Sequence, residues 1–111
     1  TEVINIRNPL NRLTLESFKG MTVNAVAGVG NNESFFALLG EEGLDCKPRP
    51  FPDHYRYSPD DLDFSDELPI IMTEKDAVKC KDFARKDWWS LSIRVALPDK
   101  FEEQFLNKLS R

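Results

Sequence analysis

Pro69-Ile70-Ile71-Met72-Thr73-Glu74-Lys75-Asp76 carries two structural instructions in succession. Ile70, Ile71 and Met72 form an uninterrupted apolar run, which reads as a short strand buried on both faces. Thr73, followed three positions later by Asp76, then reads as a helix start. It is a capping box with Asp in place of the preferred Glu.

A strand that passes directly into a helix is half of a βαβ unit, and the same pattern stands upstream. Thr22 to Ala27 is a small-residue, β-branched run that ends at Gly28. A helix is predicted to follow, with Asn31 or Asn32 as its N-cap, Phe35, Leu38 and Leu39 on one stripe, and Gly40 and Gly43 at its end. Asp45 to Phe51 reads as a strand that Pro48 and Pro50 confine to a sheet edge. Ser58-Pro59 has helix-start chemistry inside a long polar segment. The helix opened by Thr73 is expected to reach about Lys86. A strand from Trp88 to Leu97 and a terminal helix from Asp99 to Leu109 are expected after it. Before all of these, Val3 to Ile6 and Leu13 to Leu15 are candidate strands of an edge hairpin, broken by Asn8-Pro9. The alternation predicts the α/β class: a small Rossmann-like three-layer domain, with a mostly parallel sheet flanked by helices and an N-terminal edge hairpin. Residues 1–111 fit a single domain.

Composition narrows the function classes. Lys plus Arg is 15 against 19 for Asp plus Glu, a net charge of -4, which argues against a nucleic-acid binder. The charge is segregated. Asp53, Asp60, Asp61, Asp63, Asp66 and Glu67 crowd one segment, and Lys75, Lys79, Lys81, Arg85 and Lys86 another. These read first as two solvated faces. The basic one is also suited to an anionic surface or ligand. Cys46 and Cys80 form no CxxC, and with the single His54 they fall short of a structural zinc set, so two free thiols and no metal site are expected. Asp53, His54, Asp60, Asp61 and Asp63 lack the spacing and the glycine of a calcium loop. There is no charged-then-apolar leader and no apolar run near the length that spans a bilayer, so the chain is expected to be soluble by itself.

Three stretches carry candidate chemistry, each expected where open α/β sheets bind ligands, at the C-terminal ends of strands. Gly28, Gly30 and Asn31 lie in a glycine-rich turn that can aim backbone N–H groups at a phosphate. The turn is not a GxGxxG, because Glu33 occupies the third position, and GxxxxGK[ST] occurs nowhere. Phe51-Pro52-Asp53-His54-Tyr55-Arg56-Tyr57 sets the only histidine beside a carboxylate and among aromatics, a neighbourhood that can tune an imidazole for proton transfer. Thr73-Glu74-Lys75-Asp76 is explained by capping except at Lys75, whose charge is unfavourable beside the positive end of a helix. Each stretch also has a plain structural reading: a tight turn, a packed aromatic loop and a cap.

Taken together, these stretches resemble a family. Ala25-Val26-Ala27-Gly28-Val29-Gly30-Asn31 with Phe35-Phe36 is similar to the stretch A-x-A-G-I-G-N-P-x-x-F-F of the tetraacyldisaccharide 4'-kinases. The Phe51 to Tyr57 stretch resembles their F-x-D-H-H-x-F, and Thr73 to Lys79 their T-E-K-D-A-V-K, in the same order, with Trp88-Trp89 before the last strand. Asn32 stands in place of the usual proline, and Tyr55 in place of a frequent second histidine. The resemblance implies transfer of the γ-phosphate of ATP, with Mg, to the 4'-hydroxyl of a tetraacyldisaccharide 1-phosphate lipid A precursor, at the cytoplasmic face of the inner membrane. It implies that this chain is the C-terminal domain, that a larger N-terminal P-loop domain holds ATP and Mg and contacts the membrane, and that the chain alone is inactive. It maps a proton-handling or orienting role onto His54, with Asp53 beside it. Gly28, Gly30, Asn31, Thr73, Glu74, Lys75 and Asp76 become substrate-side, nucleotide-side or interdomain candidates. The alternative from the residues alone is a non-catalytic Rossmann-like binding or interaction module.

Overall fold

Four parallel strands make up one side of the sheet, out to its edge, and their faces are set by simple alternation. The computed structural model describes residues 2–28 and 32–91. Its strands are β1 (Glu2–Asn5), β2 (Arg12–Thr14), β3 (Thr22–Ala27), β4 (Asp45–Pro50), β5 (Ile70–Thr73) and β6 (Trp88–Leu91). Its helices are α1 (Asn32–Glu41) and α2 (Glu74–Cys80), with short 3-10 turns at Leu15–Phe18, Pro59–Leu62 and Lys81–Phe83. The sheet order is β2-β1-β6-β5-β3-β4. Strands β6, β5, β3 and β4 are parallel, and the β1–β2 hairpin joins antiparallel through β1 against β6. The α/β class, the mostly parallel sheet and the edge hairpin are as the sequence predicts.

Successive strand residues face opposite sides of the sheet. Val23, Ala25 and Ala27 of β3, Ile71 of β5, and Trp89 and Leu91 of β6 pack with Phe35 and Leu39 of α1 and with Leu15 and Phe18. Val26, Ile70, Met72 and Trp88 point the other way, onto Ala77 and Cys80 of α2 and onto Leu62 and Tyr57. Helical cover on both faces yields three layers, and it explains why β3 and β5 are buried along nearly their whole length rather than on alternate residues. Both tryptophans belong to this core rather than to a membrane-facing surface.

The prolines of β4 work as the edge position requires. Asp45 and Phe51 donate their N–H groups inward to Met21 O and Ala27 O. The alternation therefore turns positions 48 and 50 outward, where a missing N–H costs nothing. Gly43, at φ +93, closes α1 in the left-handed conformation.

One expectation is corrected. Helix α2 ends at Cys80 rather than near Lys86, and a 3-10 turn carries the chain through Phe83. The early stop lets Phe83 meet the Trp88 ring edge-on, with centroids 6.0 Å apart, so tertiary packing overrides local helix propensity. The helix-start chemistry at Ser58-Pro59 is present and opens a 3-10 turn, held by Ser58 N–H donating to Asp61 Oδ2 at 2.8 Å. The strand beyond Leu91, the terminal helix at 99–109, Gly30 and Asn31 lie outside the described residues.

One carboxylate of the acidic segment finds partners on β3 and β4. Asp66 accepts from the buried Asn24 amide at 2.9 Å and pairs with Lys47 and Arg49 at 3.7 and 3.6 Å. Arg49 Nε in turn donates to Asn24 Oδ1 at 3.0 Å, and its guanidinium lies 4.4 Å from the centre of the Phe64 ring. This cluster pins the polar 63–68 segment against β3 and β4.

Candidate active site at the C-terminal edge of the sheet

The three stretches singled out in the sequence come together because their strands are parallel neighbours. Gly28 follows β3, Phe51 to Tyr57 follows β4, and Thr73 ends β5. All three therefore emerge at the same edge of the sheet, where open α/β folds bind ligands.

Asp76 is the hub of this edge. It is fully buried, an expensive place for a carboxylate unless every lone pair finds a donor. Its Oδ2 accepts the Thr73 hydroxyl at 2.6 Å and the Gly28 N–H at 3.0 Å. Its Oδ1 accepts the Tyr57 hydroxyl at 3.0 Å. Thr73 Oγ1 accepts the Asp76 N–H at 3.2 Å, so the N-cap predicted at Thr73 is present. Asp76, however, does not reach back to the N–H of Thr73, as a capping box would require. Its side chain is committed to the turn after β3 and to the loop after β4. The N–H of Gly28 is likewise committed to Asp76.

The approach is close enough to require glycine at position 28. A Cβ there would stand 2.7 Å from the Tyr57 hydroxyl, 3.1 Å from Pro52 O and 3.2 Å from Asp76 Oδ1. Burial, then the adjacent Asp76 carboxylate, pushes the Tyr57 phenol far above its ordinary value, so Tyr57 stays protonated and remains a donor.

Asp53 and His54 sit at the tip of the loop that Tyr57 ties down. Phe51, Tyr55 and Tyr57 form a ring cluster with centroids 5.0 to 5.1 Å apart, and Tyr55 N–H donates to Pro52 O at 3.1 Å. The turn between them carries His54 at φ +62, a left-handed conformation uncommon outside glycine. The imidazole is 89% exposed. Its Nε2 lies 3.8 Å from Asp53 Oδ2, beyond hydrogen-bond length, so the neighbouring pair is an electrostatic contact rather than a bonded dyad. A shallow groove beside it is lined by His54, Tyr55, Arg56, Tyr57 and Lys79. Such a tip can present an imidazole to a partner surface while its base stays fixed.

The remaining candidates separate. Glu74 and Lys75 are exposed on the first turn of α2. Glu74 lines a different depression, with Ile4, Pro9 and Val78 among its neighbours. Tyr57 and Lys79 line the groove although sequence reasoning singled out neither by itself, placing Lys79 only within the basic segment. Lys79 is one helical turn from Lys75, and Tyr57 already stood in the aromatic stretch. Among the described residues, no three His, Cys, Asp or Glu side chains converge to hold a metal, and no helix is long and apolar enough to cross a membrane.

Comparison with other proteins bears on this geometry. The family model described as Tetraacyldisaccharide-1-P 4'-kinase matches residues 4–110. This chain belongs to that family. It is 50% identical over 86 residues to a tetraacyldisaccharide 4'-kinase of Alcanivorax borkumensis, covering 78% of this chain and 26% of that protein. It is 43% identical over 103 residues to the protein of that name from Methylobacillus flagellatus, covering 93% of this chain and 31% of the relative. The Nitrosococcus oceani relative is 45% identical over 97 residues, covering 87% and 29%. The chain thus spans under a third of the length of these relatives. No solved structure matches it.

Proposed function

We propose that this chain is the C-terminal domain of a two-domain, ATP-dependent kinase that phosphorylates the 4'-hydroxyl of the tetraacyldisaccharide 1-phosphate lipid A precursor. Membership of the family supports the chemistry. The observation that carries the domain's part in it is the exposed His54, held on a strained turn at the ligand-binding edge of a parallel sheet.

Phosphoryl transfer asks a protein mainly for positioning and for charge stabilisation. In this reading His54 meets the attacking 4'-hydroxyl across the cleft and orients it or takes its proton. The shallow groove with Arg56 and Lys79 offers positive charge to an anionic substrate. The described residues present no ligand set for Mg, and the chain has no phosphate-binding GxxxxGK[ST]. By the family resemblance, ATP and Mg belong to an N-terminal P-loop domain of the longer polypeptide, at the cytoplasmic face of the inner membrane. Gly28 and the Thr73 to Asp76 turn then serve the closing domain as its scaffold. The chain alone is inactive.

The test is His54→Ala in the full-length polypeptide, with kcat and KM measured for ATP and for the lipid disaccharide. A fall in kcat of about a hundredfold or more, at nearly constant KM, is expected for a group engaged in the transition state. An unchanged kcat rejects the role. Phosphorylation of the precursor by the isolated chain rejects its inactivity.

A further inference from the structure

We infer that Tyr57 and Asp76 are positioning residues for this reaction, acting through His54 by clamping the loop that carries it. The inference rests on the functional reading of His54 given above and deepens it.

The loop from Phe51 to Tyr57 reverses sharply, and His54 at its tip adopts a left-handed backbone. Such a conformation persists only where the surroundings over-determine it. Two kinds of restraint do so. On the near side, the Phe51 N–H is bonded to Ala27 O, which extends the β3–β4 ladder into the loop. On the far side, the return arm is held by the Tyr57 hydroxyl on Asp76 Oδ1 and by the ring cluster with Phe51 and Tyr55.

Asp76 is suited to serve as an anchor rather than as a reactant. It is fully buried, and Thr73, Gly28 and Tyr57 occupy it from three different elements, so it cannot turn toward a substrate. A carboxylate buried beneath a loop is not needed to start a helix that Thr73 already caps. What it adds is a fixed distance between the end of β5 and the loop after β4. Burial and this carboxylate keep the Tyr57 hydroxyl protonated, so the clamp does not loosen near neutral pH. The exposed His54 has no hydrogen bond of its own to the fold among the described residues, so its position is set by what holds the arms of its turn.

The test is a cycle in the full-length polypeptide: wild type, Tyr57→Phe, His54→Ala and the double variant, each assayed for kcat and for KM of ATP and lipid disaccharide. Tyr57→Phe keeps the ring cluster and removes one hydroxyl. It is preferred to Asp76→Asn, which disturbs Thr73 and Gly28 as well and endangers folding. Tyr57→Phe is expected to lower kcat about tenfold, because misplacing a reacting group by about 1 Å costs up to about a hundredfold. Both KM values are expected to stay within about twofold. On the His54→Ala background the same substitution is expected to cost less than about twofold, since nothing is left to position. Equal losses on both backgrounds overturn the inference, because they mean a general structural effect. A Tyr57→Phe kcat within about twofold of wild type, with His54→Ala impaired, overturns it as well. An unimpaired His54→Ala instead rejects the functional reading beneath it.

Discussion

The N–H of Gly28 donates to Oδ2 of Asp76 at 3.0 Å, joining the end of β3 to the first turn of α2 across 48 positions of sequence. The bond needs a backbone without a side chain, since a Cβ on Gly28 would meet the Tyr57 hydroxyl at 2.7 Å and backbone oxygen at 3.1 Å. Gly28→Ala is therefore expected to destabilise the chain by about 1–3 kcal/mol, the usual cost of overpacking a filled site. The midpoint of urea unfolding should fall while its slope stays constant. An unchanged midpoint would show that the turn after β3 can move away.

Asp76 itself should be the most sensitive polar position. Asp76→Ala strips an acceptor from Thr73, Gly28 and Tyr57 together, and each buried donor left unpaired costs about 1–3 kcal/mol. Val78, two residues along and 67% exposed, is a fitting control, with Val78→Ala expected within about 0.5 kcal/mol of wild type. Thermal unfolding of both variants decides it. Similar melting temperatures would mean that water enters and replaces the carboxylate.

Alkaline pH should weaken the fold through two groups that touch the same site. Burial, then the Asp76 carboxylate, pushes the Cys80 thiol from 9.0 up to about 12, and the same causes raise Tyr57 above 10.0. Above pH 9 the unfolded chain releases the thiol proton while the folded chain keeps it, so the unfolded state binds fewer protons and stability falls as pH rises. The decline should steepen above pH 10, where the unfolded Tyr57 phenol also ionises. Cys80→Ala should flatten the first part of the decline, measured as unfolding midpoints between pH 8.5 and 11, a window of roughly the ordinary thiol and phenol range. Since the thiolate is the nucleophile, Cys80 should also resist alkylation at neutral pH until the chain unfolds.

Acid acts through Asp66. Burial by itself would raise that carboxyl, but the Leu68 N–H, the Asn24 amide and the charges of Lys47 and Arg49 outweigh it and hold it below its ordinary 3.8. As pH falls through 3.8 the unfolded chain takes up the proton first, so this contribution to stability is lost from there downward. Asp66→Asn should make the acid limb of the stability profile shallower. An identical limb would place the loss elsewhere.

How much of this was legible follows from range. Ile70 to Met72, the Thr22 to Ala27 run and the edge position of β4 were readable because strand burial and proline chemistry are local. The three site stretches were readable as candidates, and the parallel order that gathers them followed from the alternation of elements. The pairing of Asp76 with Tyr57 was not readable. In the sequence, Asp76 satisfies a cap three residues from Thr73, and nothing nearby signals that its carboxylate turns instead toward loops 19 and 48 positions away. The premature end of α2 was hidden for the same reason, since Phe83 finds Trp88 only after the strand has docked.

His54 offers the sharpest separation of stability from function. Its φ of +62 costs a non-glycine residue about 1 kcal/mol, and its exposed ring contributes little packing in return. His54→Gly removes that cost but adds conformational freedom to the unfolded chain, so a net gain of about 0.5 kcal/mol is expected, where His54→Ala should give none. On the function proposed for His54, both variants should lose turnover in the full-length polypeptide. Urea midpoints set beside kcat check the pair. If His54→Gly proves less stable than wild type, the imidazole is packing or bonding on the protein, and its exposure at the sheet edge is not the state that matters. If it is more stable and inactive, the strained turn is kept for what its side chain does to substrate.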